Sequence, residues 1–349
     1  MKPVKKSEIY LFFLPVLLFC FCKCKSDFST NSAEEPFPVI YGLLDIANKE
    51  HYAKIFKSFL VEGNAYDTAK NIDKYSYIDS IDVYLNEYDI QNKLIRKIPM
   101  DTTTIFPKDS GLFFYPTQIL YVANAILNNN YLYEIEVFNP YTKNIAKTKI
   151  PVALPHGIVI NKPTGNEITI LDDVLDFVFH TGKNTTIHQL YLKYYYTEIF
   201  IDGTRRQAPP IVWELGYFVD KSMATNMQKT TPLSGAFFFR KIAENVQENT
   251  DVKGRYTDSI MLEIHTAGKD WGLYLLSNMP YTGINQEKLY HSNIIAYNTE
   301  TGKEKYATGF FSSRGITYKK FTDLTLAFGS RDSLFRGRYT KHLGFTDVY

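Results

Sequence analysis

The chain has 349 residues, 45% hydrophobic and 15% aromatic, with 27 Tyr and 25 Phe, which is apolar material enough for about two domains. Lys and Arg number 39 against 37 Asp and Glu, a formal net charge of +2, and this balance excludes the electrostatic footprint of a nucleic-acid-binding protein. All three cysteines lie before residue 25, so whatever folds beyond them is held by packing and not by disulfides.

The chain opens on a basic start, Lys2, Lys5 and Lys6, followed by the apolar run Ile9–Cys24, IYLFFLPVLLFCFCKC. The run matches a secretory h-region of roughly 7–15 residues and is shorter than the ~20 that cross a bilayer as a helix. With cysteine at its end, this is the layout of a bacterial lipoprotein signal. A cysteine at the cleavage point takes a diacylglycerol, and two or more acyl chains hold a protein stably on membrane lipid. Cys22 is the favoured lipidation site because the run ends there and Lys23 follows; Cys20 and Cys24 are the alternatives. The residue before the modified cysteine is normally small, whereas here it is Phe19, Phe21 or Lys23. An uncleaved anchor and a plain signal peptide are therefore the competing readings. The expected location is the cell envelope, lipid-anchored at the outer membrane, with residues 1–24 as signal and 25–36 as a polar tether.

Residues 37–153 read as a series of short strands. Phe37–Asp45 is an apolar run, and His51–Leu60 has two mixed faces, as at an edge or a bulge. Asp67–Lys74 is a candidate short helix. Ser80–Tyr88 alternates, with Ile81, Val83 and Leu85 on one face, and Lys93–Met100 is an edge strand weakened by Pro99. Phe113–Leu127 returns through Ile119, Tyr121 and Ala123. Tyr131–Phe138 is the clearest strand, with Tyr131, Tyr133, Ile135 and Val137 on one face, and Lys143–Val152 closes the region. About seven strands in this span predict an immunoglobulin-like or fibronectin-III-like β-sandwich, with the tyrosines in core and cross-strand packing.

Residues 154–349 begin after the break Pro155-His156-Gly157 and read as a second β-rich, α+β domain. Glu167–Ile170 and Asp176–His180 are short strands. Thr186–Ile201 is a long aromatic strand, and Asp202-Gly203 turns it towards the return strand Ile211–Phe218. The period then changes: Ser234 is a candidate N-cap, and Phe238, Ile242 and Val246 lie four apart on a helix ending near Asn249. Asp258–Thr266 is a strand and Asp270–Ser277 a short helix, followed by strands at Ser292–Tyr297, Thr308–Ser312 and Leu324–Phe328. The C-terminal tail mixes Arg331, Arg336, Arg338 and Lys341 with Asp332 and Asp347, a solvated face rather than a binding patch.

Taken together, the leader, the Y-x-Y-x-I-x-V strand at Tyr131–Val137, the pairing of Leu262–Ile264 with Trp271–Leu276, Ser292-Asn293 and the stretch Gly309–Gly315 carry a resemblance. The chain resembles a family of uncharacterised cell-envelope lipoproteins of Bacteroidetes-type bacteria, a domain of unknown function with a fibronectin-III-like first module. The resemblance implies an accessory role in binding or uptake, with an outer-membrane TonB-dependent receptor as partner. It implies no catalytic residues.

No nucleophile elbow, zinc-protease helix or phosphate loop is present. No cofactor is expected. Asp172, Asp173 and Asp176 precede His180 and His188, a set that is either a metal site or polar hairpin ends, the second reading being preferred. Glu263 and His265 are expected on an exposed strand face. Trp213 and Trp271 either stack on a sugar or pack in the core. Arg205-Arg206, in the loop after Asp202-Gly203, either meets an acidic partner or is a solvated tip. Trp213, Arg205 and Arg206 are the candidate ligand contacts. The function expected is that of a non-enzymatic envelope lipoprotein. A secreted hydrolase using Asp172, Asp173, Asp176, His180 and His188, and a structural or adhesive protein, are the alternatives.

Overall fold

In a computed structural model, described here for residues 36–59, 64–77, 81–171, 173–220, 222–278, 291–322 and 328–347, half of the protein is strand. The expected lipidation cysteines and tether lie outside the described residues, as do residues 324–327 of the last expected strand. The order begins with β1 (Pro38–Asp45), β2 (Glu50–Lys57), two single turns α1 (Ala65–Ala69) and α2 (Ile72–Tyr75), β3 (Asp82–Tyr88), β4 (Leu94–Pro99) and β5 (Asp101–Ile105). It continues with β6 (Gln118–Asn124), β7 (Leu132–Asn139), β8 (Asn144–Thr148), β9 (Val152–Ala153), β10 (Val159–Lys162), β11 (Val174–His180), β12 (Ile187–Phe200), β13 (Arg205–Gln207) and β14 (Ile211–Val219). Then come β15 (Gln228–Ser234), α3 (Gly235–Asn245), β16 (Val252–Ala267), α4 (Lys269–Asn278), β17 (Ile294–Asn298), β18 (Glu304–Lys305), β19 (Thr308–Thr322) and α5 (Phe328–Arg336). Among the described residues, no helix is long and apolar enough to cross a membrane.

The first region is an immunoglobulin-like sandwich. One sheet runs β1-β2-β6-β5 and the facing sheet β8-β7-β3-β4, and the chain changes sheets at Met100, between β4 and β5. Period-two burial drives it: Val83 and Leu85 from β3, Tyr133, Ile135 and Val137 from β7, and Ala53 and Ile55 from β2 meet in one core. Tyr133 lies at the start of β7 with its ring wholly buried. Its hydroxyl accepts from the Asn128 amide at 2.7 Å and reaches Glu87 Oε2 at 2.9 Å. A tyrosine bonding back to the corner before its own strand pins the turn into the fold. β4 is an edge, as Pro99 requires. β2, expected at an edge or a bulge because both faces are mixed, is interior between β1 and β6; its second face carries Phe56, which packs edge-on to Tyr75 of α2.

Segments from the far end of the chain complete this sandwich. β17 pairs with β8 and β18 with β17, β19 pairs in parallel with β1, and Ile294, Ala296 and Phe311 enter the first core. β19 is longer than its expected stretch, Thr308–Ser312. Residues 308–314 lie on β1, and residues 314–322 lie on β16. A single nine-stranded sheet therefore passes from the first region into the second through β19.

The second region packs β12, β14, β16 and β19 against α3 and the small sheet β10-β11-β15. The four-residue spacing of Phe238, Ile242 and Val246 puts all three in the core, with α3 ending at Asn245, earlier than expected, because Val246 is already extended. Ser234 occupies the N-cap position without a side-chain cap bond. Glu167–Ile170 forms no strand beyond a single bridge at Ile168; Ile168 and Ile170 are core residues of a loop, so their alternation records burial. Phe328 opens α5 where a strand was expected to end.

Registers fix the direction of the molecule. β1 and β19 run together away from Pro36, and Thr322 lies beside Ser259, which lies beside Tyr195. From there β12 continues to Phe200, opposite Val252. The strand path from Thr308 to Phe200 covers roughly 60 Å at ~3.3 Å per residue.

Candidate functional site

The residues considered for a metal or hydrolytic site do not converge. Asp173 and Asp176 are exposed, Asp172 lies outside the described residues, and His180 on β11 is hydrogen-bonded to the Asn161 side chain. His188, on β12, is wholly buried against Phe179 at 5.5 Å between ring centres, and neither ring nitrogen has a hydrogen-bond partner among the described residues. Burial lowers its pKa to about 4, with Lys229 adding to the effect and Asp220 opposing it. Among the described residues, no group of three or more His, Cys, Asp or Glu is placed to hold a metal ion.

Glu263 differs from the exposed position expected of it. It is buried between two strands, with Lys193 Nζ at 2.8 Å and His265 Nε2 at 2.9 Å. Burial opposes its ionisation, but these two partners outweigh it and hold the carboxyl below the ordinary glutamate range. Tyr191 packs on His265 at 4.9 Å between ring centres. The cluster is a satisfied ion network on the outer face of β12 and β16.

Trp213 is the clearest correction among the candidate ligand contacts. It is 6% exposed and packed against Phe238, so its ring offers no face to a ligand. Its position opposite Leu192 on β12 points it into the core, as the alternating pattern of β14 dictates.

Arg205 and Arg206 are both exposed on β13, which folds back on β12 through a turn at residues 201–204. Gly203 takes a φ of +83°, and Asp202 Oδ1 accepts from the Thr204 amide at 2.9 Å and its hydroxyl at 2.7 Å. These bonds hold the Asp202 carboxyl below its usual range. The Arg206 guanidinium lies 5.2 Å over the Phe200 ring, and Ile201 is 69% exposed at the crest. Behind them, Asp258 accepts from Thr197 and Gln207. The hairpin is a rigid tip of two arginines, an apolar crest and a braced turn, at the end of the molecule opposite Pro36.

Trp271 belongs to an aromatic band that sequence reasoning did not assemble. Its ring stacks on Phe310 at 5.3 Å and on Tyr274 at 5.6 Å; Phe310 meets Tyr41, which stacks on Phe56. The contributing strands are far apart in sequence, so no local spacing announces the band. At the end where the described chain begins, a cavity of about 730 Å³ lies between the sheets, walled by Phe37, Pro38, Ile81, Val137, Ile145 and Tyr306.

No protein-family model matches the chain, and no curated protein matches it in sequence. Among solved structures, the C-terminal globular domain of an oligosaccharyltransferase from Pyrococcus abyssi aligns over 59% of this chain and 40% of its own, at 11% identity and a TM-score of 0.22. Native alpha-2-macroglobulin from E. coli aligns over 68% of this chain and 13% of its own, at 7% identity and a TM-score of 0.18. The chain spans less than half the length of either structure, and likeness at this level carries nothing about activity.

Proposed function

We propose that the chain is a non-enzymatic lipoprotein of the cell envelope that holds a binding tip away from the membrane, as an accessory component beside an outer-membrane receptor of the TonB-dependent kind. The observation that carries this reading is the opposition of two features. The chain leaves its leader and tether at Pro36, and the Arg205–Arg206 hairpin caps the other end of the β12–β16 pair. A tethered protein makes use of such a layout, because the strand path sets the height of the tip.

The charge on the tip favours an acidic partner surface, and the exposed Ile201 offers the apolar contact that such interfaces centre on. The leader favours attachment through Cys22, with Cys20 or Cys24 as the other acceptors. Replacing all three cysteines by Ser tests the anchor: the chain is expected to leave the membrane fraction in which the parent is found. Unchanged partitioning of a variant with an intact signal would rule the lipid out.

A further inference from the structure

We propose that the end of the sandwich where the described chain begins is a seat on the phospholipid interface, with Tyr141 and Tyr306 entering the headgroup layer. This rests on the lipid-anchored reading above and adds a contact made by the folded protein itself. The first ground is position. Pro36, Phe37 and Pro38 line the cavity at this end, so an anchor in the preceding 35 residues holds this end nearest the bilayer. The second is composition. Tyr141 is 78% exposed and Tyr306 63% exposed, and Tyr306 packs edge-on over Phe37 at 4.5 Å. Tyrosine places an apolar ring and a polar hydroxyl at one depth, which is why it collects at membrane–water boundaries.

The third ground is rigidity. The Asn139 side chain accepts from the amides of Tyr141 and Thr142 at 3.0 and 3.1 Å. Asn298 Nδ2 donates to the Thr142 carbonyl and Thr299 Oγ1 donates to the Lys143 carbonyl, each at 2.9 Å. Two turns from distant parts of the chain are thus locked into one surface, and Tyr141 stands on it already ordered. Lys143 and Lys303 are exposed there beside Glu300 and Glu304, so the charge is nearly balanced. The contact is accordingly one of ring insertion, indifferent to whether the lipid is zwitterionic or anionic. Two tyrosines bind a bilayer weakly by themselves; the anchor supplies the local concentration that makes the contact persist.

Brominated lipids test the seat on the full acylated chain in phosphatidylcholine vesicles. Tryptophan is introduced as Tyr141→Trp at the seat or as Ile90→Trp on the β3–β4 turn at the opposite end of the sandwich, where Ile90 is 71% exposed. Emission from Trp213 and Trp271 is subtracted with the parent chain. Headgroup-proximal bromine is expected to abolish the emission added at 141 and to spare that added at 90. Vesicle flotation reads the anchor separately. A chain that floats with position 141 unquenched overturns the seat and leaves the anchor standing. Equal quenching at both positions means the sandwich lies flat and also overturns it. A chain that does not float removes the anchor, and the seat falls with it.

Discussion

His188 is the residue whose chemistry is most at odds with its surroundings. Its ring is wholly buried, lacks hydrogen-bond partners among the described residues and has a pKa of about 4 in the folded chain against the ordinary ~6.5 when unfolded. Between those values the unfolded chain binds the proton and the folded one does not. The neutral ring's contribution is therefore complete above about pH 6.5 and is withdrawn as pH falls towards 4, by roughly 3 kcal/mol over the whole window. Burial also lowers the pKa of His51, so the two act in the same direction. Urea unfolding at about pH 7.5 and about pH 5 should show a midpoint falling steeply with acid in the parent and much less in His188→Phe. Equal slopes in the two would remove His188 as the cause. At this scale the sequence was only partly legible. Tyr133 and Phe238 declared themselves through period and spacing. The burial of Glu263 did not, because its partner Lys193 reaches it only across the β12–β16 register.

Among elements, β19 carries the most. It belongs to the first sandwich over residues 308–314 and to the second sheet over residues 314–322, so the two cores share one strand. Gly309 makes the approach to β1 possible. Its φ is +111°, and a Cβ there would lie 1.9 Å from the Ile40 carbonyl oxygen. Gly309→Ala should therefore cost at least about 2 kcal/mol, combining a strained φ with a backbone clash. Because β19 serves both cores, differential scanning calorimetry should show the whole molecule melting earlier. A loss of less than about 0.5 kcal/mol would mean that the strands separate at this point without consequence. Alternation predicted β3, β7 and β12 well, since each has one face in a core. It could not predict that β17 and β18 would return to the facing sheet of the first sandwich and β19 to the sheet of β1. Short apolar runs such as Ile294–Tyr297 state that a strand is buried, and nothing local states against which partner. Ile168 and Ile170 mislead for the related reason that a buried loop can alternate like a strand.

For the whole molecule, the mainly β class followed from aromatic content and short alternating runs. The division near residue 153 marks where the chain leaves the first sandwich; residues 294–298 and 308–314 later return to its two sheets. What composition could not disclose is direction. The parallel β1–β19 pair and the antiparallel β19–β16 and β16–β12 pairs put the start of the described chain at one end and Arg205–Arg206 at the other. In the function proposed above, this far tip holds a partner. Co-isolation in mild detergent of the parent and of an Arg205→Glu, Arg206→Glu variant, both membrane-bound and equally abundant, measures it most directly. One envelope protein is expected in proportion with the parent and reduced at least about tenfold with the variant, a loss of ~1.4 kcal/mol or more. Recovery of the same protein in equal amount with both chains, or of none with either, would contradict it.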